Sequence, residues 1–260
     1  MRVMSSSAVV AAITGGTSGI GRAAALKLGS VGAVVAVSGR NEAEGAITVQ
    51  QVEAAGGTAQ FTRVDVCEPD AVAAWIGDTA ERHGGLDWLV NNAGLNGQGA
   101  RLEDYSIEDF ERVVRTNLFG TFYALRAAIP IMRAGGGGSV VNLGSTASLQ
   151  GYGLLAAYAA AKHGLVGLTK AVALENADIP IRVNIICPGP IDTPLMDDIE
   201  RLVNPQDPAA AHEMFAGTTA LKRYGSPAEV AELIHFLLSD ASSYITGTAI
   251  SVDGGVMAGV

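Results

Sequence analysis

The chain has 260 residues, enough for one large α/β domain with a substantial core. Its formal net charge of −9 argues against nucleic acid or an anionic membrane surface as a partner. Two cysteines, Cys67 and Cys187, suggest no disulfide framework and fit a reducing cytoplasm, and the four histidines, at 83, 163, 212 and 235, lack metal-ligand spacing, so no metal site is expected.

Residues 1–7 are too short and polar to read as a signal peptide, and no apolar stretch reaches transmembrane length, so a soluble cytoplasmic protein is expected. The first element is an apolar run at 8–14, suited to a buried parallel strand. It runs into Thr14-Gly15-Gly16-Thr17-Ser18-Gly19-Ile20-Gly21 and then into a helix-forming stretch from Arg22. Strand, glycine turn and helix together make a place where backbone can approach a pyrophosphate at a helix N-terminus. A second strand at 33–38 ends in Ser38-Gly39-Arg40-Asn41, with no carboxylate where one would bond a ribose 2′-hydroxyl. Ser38 and Arg40 are instead suited to a 2′-phosphate, with Arg40 stacking on adenine as the rival reading. Further strand-like runs follow near 58–64, 86–91, 138–144, 181–187 and 248–252, with helical patterns between them. The alternation predicts a parallel, doubly wound sheet of about seven strands in one domain. Asp87 reads as a structural carboxylate capping backbone near a sheet end. A long helical stretch covers about 106–133, another about 155–177, and the Pro-containing segment 189–226 reads as one irregular loop.

Two features carry chemistry. Tyr158-Ala159-Ala160-Ala161-Lys162 places a phenol and an ammonium four residues apart on one helix face, where the positive charge would lower the phenol pKa. Ser145, thirteen residues upstream, is able to hydrogen-bond an oxygen beside Tyr158. Such a trio suits proton transfer at oxygen while another group moves a hydride.

The spacing Thr14-Gly15-x-x-x-Gly19-x-Gly21, taken with Ser145, Tyr158 and Lys162, resembles the short-chain dehydrogenase/reductase family over nearly the whole chain. Asn91-Asn92-Ala93-Gly94, Asn117, Pro188-Gly189, Thr193 and Asp65 match further motifs of that family in order. The resemblance implies a Rossmann-type fold and reversible hydride transfer between a nicotinamide and a carbonyl carbon. Tyr158 would be the general acid or base, Lys162 would lower its pKa and bond the nicotinamide ribose, and Ser145 would polarise the substrate oxygen. Asn117 would hold a water that relays protons to Lys162. The cofactor would be held by Gly15, Thr17, Ser18, Gly19, Ile20, Gly21, Ser38, Arg40, Asn41, Asp65, Val66, Asn92, Ala93, Gly94, Pro188, Gly189, Ile191 and Thr193, besides Tyr158 and Lys162. NADP(H) is favoured and NAD(H) is the alternative. Asn96, Tyr152, Leu154, Leu155 and Met196, with Ser145, would face the substrate, and Leu95, Gln98, Leu149, Met214 and Phe215 join the candidates; 189–226 would cover it. The set is mainly apolar, which points to a hydrophobic or ring ketone. Reduction of a 3-oxoacyl group on an acidic carrier protein ranks lower, since only Arg133 is basic and Glu175 is acidic within residues 132–138 and 171–176, where such members of the family carry basic residues beside the active-site mouth. A non-catalytic cofactor-binding regulator is the alternative from another class. The resemblance also implies a homotetramer or dimer.

Overall fold

Because both faces of a parallel sheet are covered by helices, its strands read as continuous apolar runs, and each predicted run becomes a strand. The computed structural model describes residues 8–259; the expectation for residues 1–7 lies outside that range. Among the described residues seven strands form one sheet: β1 (Val10–Thr14), β2 (Val34–Gly39), β3 (Thr58–Arg63), β4 (Trp88–Asn91), β5 (Gly138–Leu143), β6 (Ile181–Pro188) and β7 (Ala249–Val252). Their order is β3-β2-β1-β4-β5-β6-β7, all parallel. Alternate residues of β1 serve opposite cores, Ala11 and Ile13 on one face, Val10 and Ala12 on the other.

The helices are α1 (Gly19–Ser30), α2 (Glu42–Ala54), α3 (Pro69–His83), α4 (Ile107–Val114), α5 (Gly120–Ala134), α6 (Ala156–Glu175), α7 (Pro194–Val203), α8 (Pro208–Gly217) and α9 (Pro227–Leu238). Helices α1, α2 and α9 pack one face through Ala24, Leu28, Val52, Ile234 and Leu237. Helices α3, α5 and α6 pack the other through Trp75, Ile76, Ala128, Met132 and Ala173. Asp87 acts structurally, as expected: its Oδ2 accepts from Val10 N at 2.9 Å. Arg182 of β6 donates to the carbonyls of Leu237, Leu238 and Ser239 at 2.6, 3.1 and 2.9 Å, satisfying the open end of α9.

Two expectations need correction. The stretch 106–133 is not one regular helix, because a π-helical turn at Arg115–Phe119 separates α4 from α5. The segment 189–226 is not irregular, because it holds α7 and α8. Its prolines start helices: Pro194 and Pro208 follow the caps Thr193 and Asp207, whose side chains accept from Met196 N and Ala210 N. No helix among the described residues is long and apolar enough to cross a membrane.

Candidate active site

Strand order reverses between β1 and β4, which opens a crevice at their carboxyl ends. The glycine turn lies there. Gly15 and Gly19 have φ of +63° and +48°, left-handed values that favour glycine. A Cβ on Gly21 would stand 2.3 Å from Gly15 O and 2.5 Å from Asn92 Nδ2, so α1 meets the turn with no room for a side chain. Asn92 Nδ2 donates to Gly15 O at 2.8 Å, tying the turn to the end of β4. Ser18, the residue before α1, makes no side-chain cap, which leaves the helix N-terminus open to a ligand.

A cleft of about 380 Å³ runs from this turn. Gly15, Thr17, Ser18, Gly19, Ile20, Arg40, Asp65, Val66, Asn92, Ala93, Gly94 and Thr193 line it, as does Leu95. Glycines that admit backbone, an open helix N-terminus and a cationic rim at Arg40 fit a nicotinamide dinucleotide. Ser38 does not reach the cleft: it is fully buried and donates toward Ile13 O at 3.5 Å, because its position in β2 turns it into the sheet. Asn41 is also outside the lining; it caps α2 by accepting from Glu44 N at 3.2 Å. Gly21 acts through close packing.

A second cavity of about 390 Å³ adjoins the first, and Ile20, Asn92, Gly94, Thr193 and Leu195 line both. Ser145, Tyr158 and Lys162 line the second, with Pro188, Gly189 and Ile191. Ser145 follows β5 in a tight turn: its Oγ accepts from Ala147 N at 3.1 Å, and its N donates to Ser148 Oγ at 3.1 Å. Ser145 lies beside the Tyr158 phenol and favours its ionised form. One turn on, Lys162 Nζ lies 5.5 Å from the Tyr158 ring centroid and donates to Leu143 O at 2.6 Å.

The electrostatics differ from the sequence expectation. Burial pushes the Tyr158 phenol up to about 12, against the lowering effect of Ser145. Burial also brings Lys162 down to about 8, with Cys187 opposing it. Both groups sit in a dry pocket that disfavours either charge. Cys187 is buried beside them, as expected of a small core residue, and its thiol is raised by burial and lowered by Ser148. Cys67 is only half-buried, and its thiol contacts Thr116 Oγ1 at 3.4 Å.

Asn117 sits in the π-helical turn with its side chain fully buried. Its Oδ1 accepts from Leu95 N and its Nδ2 donates to Leu95 O, both at 2.8 Å. That amide clamps Leu95 through both of its polar atoms.

The remaining wall is apolar. Tyr152, Leu154, Leu155 and Met196 line the cavity as predicted, and so do Met214 and Phe215. Sequence reasoning missed Ile199, Leu202 and Val203 of α7, hidden by reading that helix as a loop, and Val256 from a C-terminal turn. It also missed a polar strip, where Gln150 Nε2 donates to Tyr152 OH at 2.6 Å and Tyr152 OH donates to Thr146 Oγ1 at 2.8 Å. Gln98 and Leu149 lie outside both linings. Asn96 also lines neither: it is 6 % exposed, and its Nδ2 donates to Leu195 O at 2.8 Å.

Known proteins resemble this chain in sequence and fold. A family profile described as "Enoyl-(Acyl carrier protein) reductase" matches residues 15–257. Levodione reductase of Leifsonia aquatica is 40 % identical over 248 residues, covering 95 % of this chain and 93 % of the relative. Cyclohexanol dehydrogenase of Acinetobacter sp. (strain SE19) is 40 % identical over 245 residues, covering 94 % and 93 %. The crystal structure of levodione reductase superposes with a TM-score of 0.96 at 37 % identity, covering 98 % of this chain and 99 % of that one. Two similar structures carry nicotinamide nucleotides: actinorhodin polyketide ketoreductase with NADPH (TM-score 0.92, 35 % identity, 96 % and 97 % covered) and NAD+-bound xylitol dehydrogenase (0.91, 32 %, 96 % and 99 %). With the glycine turn, the Ser145–Tyr158–Lys162 geometry and this likeness along nearly its full length, the chain belongs to the short-chain dehydrogenase/reductase family of oxidoreductases.

Proposed function

We propose that this protein interconverts a small, mainly apolar ketone and its secondary alcohol, using NADP(H) in preference to NAD(H). The observation that carries this reading is the junction of two cavities at Gly94 and Thr193, with Ser145, Tyr158 and Lys162 beside it. A bound dihydronicotinamide supplies the hydride for the carbonyl carbon. Ser145 holds the carbonyl oxygen and polarises it. Tyr158 gives its phenolic proton to that oxygen, and in the reverse direction takes it back. A phenol pushed up by burial serves as a proton donor at neutral pH; acting as a base requires a nearby positive charge. Lys162, anchored on Leu143 O, would supply that charge and bond the nicotinamide ribose of a bound nucleotide.

The cavity lining supports a ketone with an apolar body over a sugar. Arg40 supports a 2′-phosphate on the cofactor, since it stands on the cleft rim. A carrier-bound acyl substrate has less support, because Arg133 is engaged by Asp178 at 2.7 Å and Asn176 at 2.9 Å. Exposed Ile107, Phe119, Phe122 and Leu174 on α4–α6 and the intervening π-helical turn support a homotetramer or dimer in solution.

The test is a set of initial rates on aliphatic, aryl, cyclic and steroid ketones and a 3-oxoacyl thioester, each with NADPH and with NADH. Some ketones turn over with NADPH, and Tyr158→Phe lowers that rate by about 10²–10⁴ while nucleotide still binds. No turnover with any compound, or near-normal turnover by the variant, refutes the reading.

A further inference from the structure

We infer that Asn96 is a latch holding α7 closed over both cavities, a positioning residue and not a substrate ligand. Its effect on turnover rests on the oxidoreductase reading above; its effect on the mobility of α7 does not.

Leu195 is the point that matters. It lines both cavities, so α7 is a wall common to the two. Asn96 Nδ2 donates to the Leu195 carbonyl at 2.8 Å from a nearly fully buried position. Asn96 is itself held from behind, since Asn117 grips both backbone groups of Leu95. A chain of fixed contacts therefore runs from the π-helical turn through Leu95 and Asn96 to α7. The same loop meets α7 again further along: a Cβ on Gly99 would stand 2.3 Å from Leu202 Cδ2. Buried Glu200 clasps α7 to its neighbours: its Oε1 accepts from Tyr224 OH at 2.7 Å and meets His212 Nδ1 at 2.9 Å. Asn96 adds a tie from α7 to the loop after β4.

The other half of the Asn96 amide argues that packing alone did not select this residue. Its Oδ1 is buried and has no hydrogen-bond partner among the described residues. A residue kept only to fill space would avoid that cost. The donor is the useful group.

The experiment compares hydrogen exchange in nucleotide-free wild type, Asn96→Asp and Asn96→Ala. Aspartate keeps the shape but sets an oxygen against the Leu195 carbonyl; alanine removes the amide and serves if aspartate fails to fold. The expected result is exchange about tenfold faster at the amides of 195–203, with β5 and β6 unchanged. Bound NADPH then dissociates about tenfold faster in stopped flow, and the ketone KM rises while kcat holds. Unchanged exchange in α7 in the folded variants overturns the latch. Exchange that rises evenly through the sheet overturns it too, since it marks a purely structural role. Absence of turnover in the wild type would refute the oxidoreductase reading and leave the exchange result standing.

Discussion

Arg40→Ala gives the sharpest test of cofactor choice. Arg40 is exposed on the cleft rim, while Ser38, the other residue placed by sequence to hold a 2′-phosphate, is buried in the sheet. No second side chain of that pair remains to share the load, so the whole effect falls on the guanidinium. Hydrogen bonds to charged groups contribute roughly 1.5–3 kcal/mol, and exposure puts this one toward the lower part of that range. At 1.4 kcal/mol per decade, NADPH affinity falls about ten- to fiftyfold. NADH has no 2′-phosphate, and its affinity falls by less than about threefold. Arg40→Lys keeps the charge but loses the planar fork, and lands between alanine and wild type. The assay is fluorescence titration of each variant with NADPH and NADH at fixed ionic strength, since an exposed charge pair is screened by salt. Equal losses for the two nucleotides refute the assignment and leave Arg40 as an adenine-stacking group.

Two further predictions concern the scaffold and the buried pair. The Lys162 amine is lowered to about 8 in the folded protein against an ordinary value of 10.5, so the unfolded chain binds more protons between those values. Stability of the nucleotide-free protein therefore gains from Lys162 as pH rises from about 8 toward 10, and Lys162→Met loses that gain; parallel melting curves against pH for the two proteins would contradict it. Arg182→Met strands three carbonyls at the end of α9 and costs about 2–4 kcal/mol, read as a Tm lowered by roughly 5–12 °C, and an unchanged Tm would show that water replaces the guanidinium.

The sheet was legible because a strand covered on both faces cannot alternate polar and apolar residues, and the runs at 8–14, 138–144 and 181–187 became β1, β5 and β6. Ser145, Tyr158 and Lys162 were legible because local spacing, a helical turn and a short loop, sets their proximity. Side-chain direction was less so. Ser38 lies at the right strand end, but its side chain points into the sheet, and Asn96 lies at the right loop but turns to α7. The helices α7 and α8 were missed because prolines were taken as breakers. Thr193-Pro194 and Asp207-Pro208 are each a cap followed by a proline at the first helical position, a signal that was present in the sequence. The high phenol pKa was not legible either, because burial is a property of the assembled pocket.

The π-helical turn at Arg115–Phe119 has a geometric meaning for the chain around it. An α-helix rotates about 100° per residue, and a π-turn accommodates one residue more than the regular ladder. Val113 before it is fixed in one buried cluster and Ala124, Leu125 and Ala128 after it in another. Removing one residue from the turn would restore a regular helix, but the faces on its two sides would then disagree by about a quarter of a revolution. Either Val113 would leave its cluster or Ala124 its own. The extra residue thus works as a phase adjuster, letting two separately packed helices share one axis while Asn117 faces inward between them.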